Sequence, residues 1–254
     1  MFETKTKAAI LVIGDEILSG RIQDTNTSWI ATQLGLLGIP VGEARVVPDI
    51  EGEIAGAVNA LRTKYKYVFC TGGIGPTHDD ITSDSVAVAF GVPIDVNPAA
   101  YERLKDRIGE ENLNEARVKM TRMPAGVQLI ENIYDAICGY RIENVFVMAG
   151  IPRVMQSMFS FLTPWLDSSA PLVNNGIFTR LKEGNIAAPL AQLQKNYPSV
   201  SIGSYPQFDA DKKAEAGIKL IVRGTDPALI DMVLDEIRAM VIDLGDQPQE
   251  LSAA

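Results

Sequence analysis

The sequence predicts a three-layer α/β domain with a mainly parallel sheet, followed by a small two-layer α+β domain. Three observations carry this expectation. Short, continuous apolar runs such as AAILVI at 8–13 and YVFC at 67–70 have the length and composition of strands covered on both faces. Segments with helical apolar spacing alternate with these runs, as in repeated βα units. After the apolar pattern ending near Leu166, Pro171 and Asn174-Asn175-Gly176 punctuate the chain, and the order changes to strand, helix, strand, strand, helix. The expected boundaries are residues 1–170 for the first domain and 171–246 for the second, with 247–254 a disordered tail.

In order, residues 7–14 form the first strand, and 14–24 a loop. A helix over 25–37 places Trp29, Ile30, Leu34 and Leu37 at helical spacing, with Asp24 or Thr25 at its start and Gly38 at its end. A strand over 41–47 leads to Pro48-Asp49, and a helix over 50–64 carries Ile54, Val58 and Leu61 on one face. The strand at 67–70 enters a glycine-rich loop and then a helix over 82–90. A further helix covers 98–109, residues 113–123 are mixed and basic, and short strands are expected at 127–130 and 145–148. Gly150-Ile151-Pro152 opens a helix running to about residue 166. The second domain reads as strand 177–181, helix 186–196, strands 200–205 and 218–222, and helix 227–244.

Composition narrows the function. The chain has 254 residues and a formal net charge of −9, which argues against nucleic acid and anionic membranes as partners. Its apolar runs fall short of the roughly 18 residues of a spanning helix. The short apolar run near the N-terminus ends in Gly-Asp-Glu, which favours a first strand over a signal peptide. Cys70 and Cys138 are too few for a four-cysteine zinc site, and Cys70, inside an apolar strand, is expected to be buried and inert in a reducing cytoplasm. The single histidine, His78, rules out a three-histidine metal site within the chain.

The stretch TGGIGPTHDDITSD, 71–84, concentrates the chemistry. Gly72, Gly73, Gly75 and Pro76 form a tight turn between a strand and a helix start, where backbone can approach an anion closely. It is neither a dinucleotide fingerprint nor a P-loop. Asp79 and Asp80 lie in the same loop, while Asp15 and Glu16 follow the first strand and Asp49 the second. In an open α/β sheet these loops share the carboxyl edge. Convergent carboxylates suit a hard divalent cation, which in turn suits phosphate oxygens. Ser19, Thr77, Thr82 and Ser83 read as phosphate hydrogen-bond donors or helix caps. His78 is a candidate phosphate contact, Arg21 and Arg141 are weaker ones, and Trp29 and Trp165 are assigned to packing.

These residues carry a resemblance. GDEILSG at 14–20, Asp24-Thr25-Asn26, Val47-Pro48-Asp49 and GGIGPTHDDIT at 72–82 resemble, in matching order over residues 7–166, the MoaB/Mog-like molybdopterin-binding domain. More closely, they look like the amino-terminal half of the competence/damage-inducible protein A (CinA) family. The segment around Ile202-Gly203-Ser204-Tyr205-Pro206 resembles the KH-like domain that follows in that family, without a Gly-x-x-Gly clamp. The family's amidase domain has no counterpart in these residues, so no amidase activity is expected. The resemblance implies a phosphorylated small-molecule partner, a pterin such as molybdopterin or an ADP-containing dinucleotide. It also implies pyrophosphate cleavage assisted by Mg, Mn or Co, and a homo-oligomer, dimer or trimer. It assigns Asp49 and Asp80 catalytic roles, Asp79, Asp80 and Asp49 the metal, and Gly72, Gly73 and Gly75 the phosphate. Pro76, Thr77, Thr82, Asp15, Glu16 and Ser19 complete the expected ligand set. One departure stands out. The family's Asn-Pro-x-Gly-Thr-Ala-Pro-Gly-Phe segment is here NIYDAICGY at 132–140, with Asp135 and Ile137 where small residues would approach the ligand. Met148-Ala149-Gly150-Ile151-Pro152 mostly keeps the usual Leu-Pro-Gly-Val-Pro.

Overall fold

A computed structural model describes residues 7–209 and 214–251. The chain divides into a larger unit, residues 6–35 and 39–168, and a smaller one built mainly from residues 169 onward.

The larger unit is a three-layer α/β fold on a six-stranded sheet of order β2-β1-β3-β8-β7-β6. Here β1 is Ala8–Ile13, β2 Val41–Val47, β3 Tyr67–Thr71, β6 Gln128–Ile130, β7 Gly139–Ile142 and β8 Val145–Met148. The pairs β1–β2, β1–β3 and β3–β8 are parallel; β7 pairs antiparallel with both β8 and β6. Every residue of β1, β3 and β8 is buried, which is why these strands read as unbroken apolar runs. From β1 the chain crosses to β2 on one side and then to β3 on the other, so the loops after β1 and β3 diverge. That divergence opens a crevice at the carboxyl edge.

The helices cover the sheet by their apolar stripes. α2 (Asn26–Leu36) and α7 (Pro152–Ser160) meet through Trp29 and Phe159, edge to face at 5.3 Å, and Phe159 lies 5.9 Å from Phe69 of β3. α3 (Glu51–Lys64) buries Ile54, Val58 and Leu61, and its Arg62 stacks over Phe90 of α4 (Thr82–Phe90). Gly91, at φ 64, ends α4 in the left-handed conformation that a side chain disfavours. α5 (Pro98–Ile108) starts on Asn97, whose side chain accepts from the Ala100 N–H.

Several local features escaped the sequence pattern. Residues 15–18, expected as loop, form the short helix α1 (Asp15–Leu18). β4 (Ile94–Val96) pairs antiparallel with β5 (Arg122–Pro124), and α6 (Glu115–Lys119) precedes β5, in stretches too short to show a period. β7 was also missed, because Gly139 breaks the expected apolar run; a Cβ there would meet the Val147 carbonyl oxygen at 2.5 Å. The helix expected to reach residue 166 ends at Ser160, and Thr163–Trp165 is a separate 3-10 turn with Pro164 inside it.

The smaller unit has a four-stranded antiparallel sheet, β10-β11-β9-β12, with β9 Val173–Thr179, β10 Ser201–Asp209, β11 Ala214–Gly224 and β12 Gln249–Glu250. Two helices, α8 (Glu183–Asn196) and α9 (Pro227–Asp243), belong to this unit. α9 starts on Asp226, which caps the Ala228 and Leu229 N–H groups, and buries Ile230, Val233, Leu234, Ile237 and Val241 at helical spacing. With Ile177, Ile218, Leu220 and Val222 these make a separate core. Residues 247–254, expected to be disordered, are corrected in part. β12 pairs with β9, and Glu250 makes a bidentate ion pair with Arg238; residues 252–254 lie outside the described residues.

Candidate functional site

The crevice at the carboxyl edge is a cavity of about 440 Å³. Its floor and one wall come from the ends of β1, β3 and β8: Val12, Ile13, Thr71, the Gly72–Pro76 turn, Ala149 and Gly150. Residues 22–26 and the loop around Asp135 and Ile137 supply the other sides.

The glycines are where a side chain would collide. At Gly72, φ is 107° and a Cβ would sit 2.1 Å from the Ile13 carbonyl oxygen. At Gly73, φ is 67° and a Cβ would sit 2.2 Å from Thr82 Oγ1. Thr82 is fully buried and braces this turn: its hydroxyl donates to Gly72 O at 2.9 Å, and its N–H donates to Gly73 O at 3.0 Å. Thr82 therefore shapes the loop and is not exposed to a ligand. The N–H groups of Gly73, Ile74 and Gly75 meet no protein acceptor among the described residues. Pro76 and Gly75 line the cavity, and Asp80 lies against Gly75, its Oδ2 2.7 Å from where a Cβ would be.

The acidic residues are distributed differently from the expectation. Glu16 and Asp80 line the cavity, together with Asp24 and Asp135; Asp15, Asp49 and Asp79 do not. Asp49 Oδ2 accepts the Asp15 N–H at 2.9 Å and so ties the loop after β2 to the start of α1. Partial burial lifts the Asp49 carboxyl above the usual carboxylate range, and the negative charges of Glu16, Asp15 and Asp79 add to this against the Asp15 N–H. Asp80 Oδ2 accepts the Thr77 N–H at 2.8 Å, and the Thr77 hydroxyl is shared between Asp80 and Asp79. That hydroxyl lowers the Asp79 carboxyl. Thr77 thus closes the turn instead of lining the cavity.

For a protein-held divalent cation the donor set does not fit. Among the described residues no three Asp, Glu, His or Cys side chains converge on one point, and the Asp49 and Asp80 carboxylates are already engaged by backbone N–H groups. The expectation that Asp79, Asp80 and Asp49 hold a metal together is therefore not met by their geometry.

Other expected residues lie elsewhere. The Ser19 hydroxyl donates to Glu16 O at 3.3 Å and accepts from Arg21 Nε, on an exposed turn away from the cavity lining. The His78 side chain is exposed, its Nδ1 3.9 Å from Asp79. Arg141 stacks on Phe146 and Trp165, so it is a packing residue of β7. Cys70 is fully buried, and burial pushes its thiol up to about 12, as its apolar strand implied.

The structure adds two things to the sequence reading of the site: the place of Asn26, and the way the 132–138 loop, already expected near the ligand, is held. Asp24, as anticipated, caps α2, its Oδ1 accepting from the Asn26 and Thr27 N–H groups. This places Asn26 inside, 7% exposed and lining the cavity; the helix start looked like capping alone, and only the fold turns it inward. The second feature is the construction of the 132–138 loop. Asn132, 2% exposed, accepts the Tyr134 and Asp135 N–H groups and donates to Ile137 O, while Arg103 and Arg107 donate to the backbone carbonyls of residues 132–134. The side chains that replace the family's small residues are thereby held at the cavity wall.

Comparison with known proteins agrees with this architecture. Residues 9–168 match the family described as "Probable molybdopterin binding domain", and residues 171–244 match "FAD synthase, middle domain", the segment read above as KH-like. A protein of Aeropyrum pernix is 31% identical, with 98% of each chain covered. A CinA-like protein of Geobacter sulfurreducens is 37% identical over 98% of this chain and 64% of its own length, and one of Geotalea daltonii is 32% identical over 91% and 59%. The chain thus spans about three fifths of those CinA-like relatives. The crystal structure of the CinA protein of Thermoplasma acidophilum superposes with a TM-score of 0.60 at 28% identity, covering 63% of this chain and 96% of that one. The match over residues 9–168 shows that the chain belongs to the molybdopterin-binding domain family, and CinA-like proteins are among those it is similar to.

Proposed function

We propose that the cavity binds a phosphorylated pterin or an ADP-containing dinucleotide, with the phosphates against the Gly72–Gly75 backbone. The observation that carries this reading is the turn itself. Three N–H groups without protein acceptors edge a 440 Å³ cavity, and neighbouring atoms exclude side chains at Gly72 and Gly73. Family membership supports a pterin-type ligand. Cleavage of an ADP-ribose-type pyrophosphate is the turnover to which the CinA resemblance points, with Asp80 at the cavity and Asp49 behind it. Because the carboxylates do not converge on a cation site, no step is assigned to a protein-held metal.

Thermal-shift and calorimetric titrations with pterin phosphates, ADP, ADP-ribose and FAD test the binding reading. A flat response across all of them overturns it. The same compounds incubated with Mg²⁺, Mn²⁺ or Co²⁺ and resolved by chromatography test turnover. If hydrolysis occurs, Asp80→Ala, which removes the carboxylate lining the cavity beside Gly75, is expected to lower it at least about a hundredfold. Intact compounds together with a positive thermal shift favour a binding module without turnover. We further propose that the chain assembles as a dimer or trimer; a monomeric mass by light scattering argues against this.

A further inference from the structure

Thr82 grips the glycine turn at two points. Its hydroxyl donates to Gly72 O at 2.9 Å and its N–H to Gly73 O at 3.0 Å. Thr82 is fully buried and is not a lining residue of the cavity, whereas Gly72, Gly73, Ile74 and Gly75 all are. A planar trans peptide carries its C=O and its N–H in opposite directions, and no cis bond occurs among the described residues. Holding the Gly72 carbonyl on Thr82 therefore points the Gly73 N–H away from Thr82. Holding the Gly73 carbonyl does the same for the Ile74 N–H. The turn lines the cavity and Thr82 does not, so the side away from Thr82 is the open one. Neither N–H meets a protein acceptor among the described residues, whereas the Gly72 N–H is spent on Met148 O at 3.2 Å. Thr82 is also the first residue of α4, so the N–H it gives to Gly73 O is one of the spare donors of a helix start. A carbonyl bonded in this way polarises its own peptide, and the partial positive charge of the helix start is passed on to the Ile74 N–H. The charged side chains of the lining are Glu16, Asp24, Asp80 and Asp135, with no Lys, Arg or His among the described lining residues. Donors to a phosphate are then backbone groups, whose direction is set by what holds their carbonyls.

We propose that Thr82 is a positioning residue for phosphate: by holding two carbonyls it fixes the peptide planes that aim the Gly73 and Ile74 N–H groups at one phosphate group. This rests on the binding reading above and narrows its donors from the whole turn to two consecutive N–H groups. Thr82 itself never touches the ligand. Without its hydroxyl the Gly72–Gly73 peptide is free to rotate, and its carbonyl would then face the anion in place of its N–H.

Backbone-amide NMR of the intact, unmodified protein tests the donors. Pyrophosphate and ADP are titrated, with adenosine as the phosphate-free control. The Gly73 and Ile74 amides are expected to shift with both phosphate probes and not with adenosine, while the Gly72 amide stays in place. Calorimetry on two variants tests Thr82. Thr82→Val removes the hydroxyl at nearly constant shape and is expected to weaken ADP binding about tenfold. Thr82→Ser keeps the hydroxyl and is expected to stay within about threefold of the unmodified protein. Unchanged ADP affinity in folded Thr82→Val, or equal losses in both variants, would make Thr82 a packing residue only and overturn its role. If Thr82→Val does not fold, the amide shifts of the unmodified protein decide the matter. Binding of the phosphate probes with unmoved Gly73 and Ile74 amides overturns the inference and leaves the binding reading standing. Absence of any response to pyrophosphate and ADP overturns both.

Discussion

The two walls of the cavity are built on opposite principles. The Gly72–Gly75 wall is shaped by the backbone, and atoms at 2.1–2.2 Å from a virtual Cβ leave no room for a side chain at Gly72 or Gly73. The 132–138 wall is shaped by side chains, with Asn132 gathering three backbone groups and two arginines holding the carbonyls. A wall of this kind has one solution, since a side chain at Gly72 meets the Ile13 carbonyl and one at Gly73 meets the buried Thr82 hydroxyl. A side-chain-shaped wall tolerates replacement wherever its anchor is kept, and that is where this sequence departs from the CinA pattern.

Breaking the backbone wall has the largest expected effect. Gly72→Ala combines a left-handed backbone with overlap on the Ile13 carbonyl and is expected to cost roughly 2–5 kcal/mol and to abolish ligand-induced thermal shifts. The control is Gly56→Ala on α3, where nothing lies within 4 Å and a gain of about 0.5–1 kcal/mol is expected by denaturant titration. If both variants behave alike, the steric account of the glycine turn fails.

Removing the anchor of the other wall comes next. Asn132→Ala leaves the Tyr134 and Asp135 N–H groups and the Ile137 carbonyl without their partner and is expected to cost about 3 kcal/mol. Hydrogen exchange should rise in residues 132–138 and stay unchanged in 72–82; equal rises in both would show that the walls are not independent. A smaller change acts on the charge of that wall alone. Asp135→Asn keeps the shape, and stability is expected to move by about 1 kcal/mol or less. Affinity for a phosphate-bearing ligand should tighten about tenfold at low salt, with the gain fading as salt is raised.

The smallest effect lies away from both walls. Arg45, Lys64 and Tyr65 hold Glu43 on β2, led by Lys64, and bring its carboxyl from 4.5 to about 2. A depressed folded-state value stabilises the fold above the unfolded value, and that contribution is lost as pH falls from about 4.5 through about 2. Glu43→Gln should flatten this acid limb in pH-dependent unfolding and leave ligand affinity unchanged. Altered affinity would mean that β2 is coupled to the cavity.

Much of this was legible in the chain. The β1, β3 and β8 runs declared themselves because strands covered on both faces carry apolar residues at every position. The glycine turn was legible because positive φ and close approach exclude other residues. The convergence of the acidic residues was not legible. Asp49 is taken up by the Asp15 N–H of the neighbouring loop and Asp79 by the Thr77 hydroxyl of its own, and sequence spacing cannot show where a carboxylate finds its hydrogen bonds. Short elements such as β4, β5 and β12 were missed because two or three residues carry no period.

The sequence by itself determined the α/β class, the positions of the central strands along the chain, the glycine turn at 72–76 and the buried thiol of Cys70. Each of these is written in local chemistry: continuous apolar runs, obligatory glycines and a cysteine within a strand. Only the tertiary structure decided which residues face the cavity. It turned Asn26 inward with its amide locked by Thr71 and Gly150, withdrew Thr82 into the core and seated Asp135 on the wall. Those outcomes depend on hydrogen bonds between groups up to 124 positions apart in the chain, which become neighbours only when β1, β3 and β8 lie side by side.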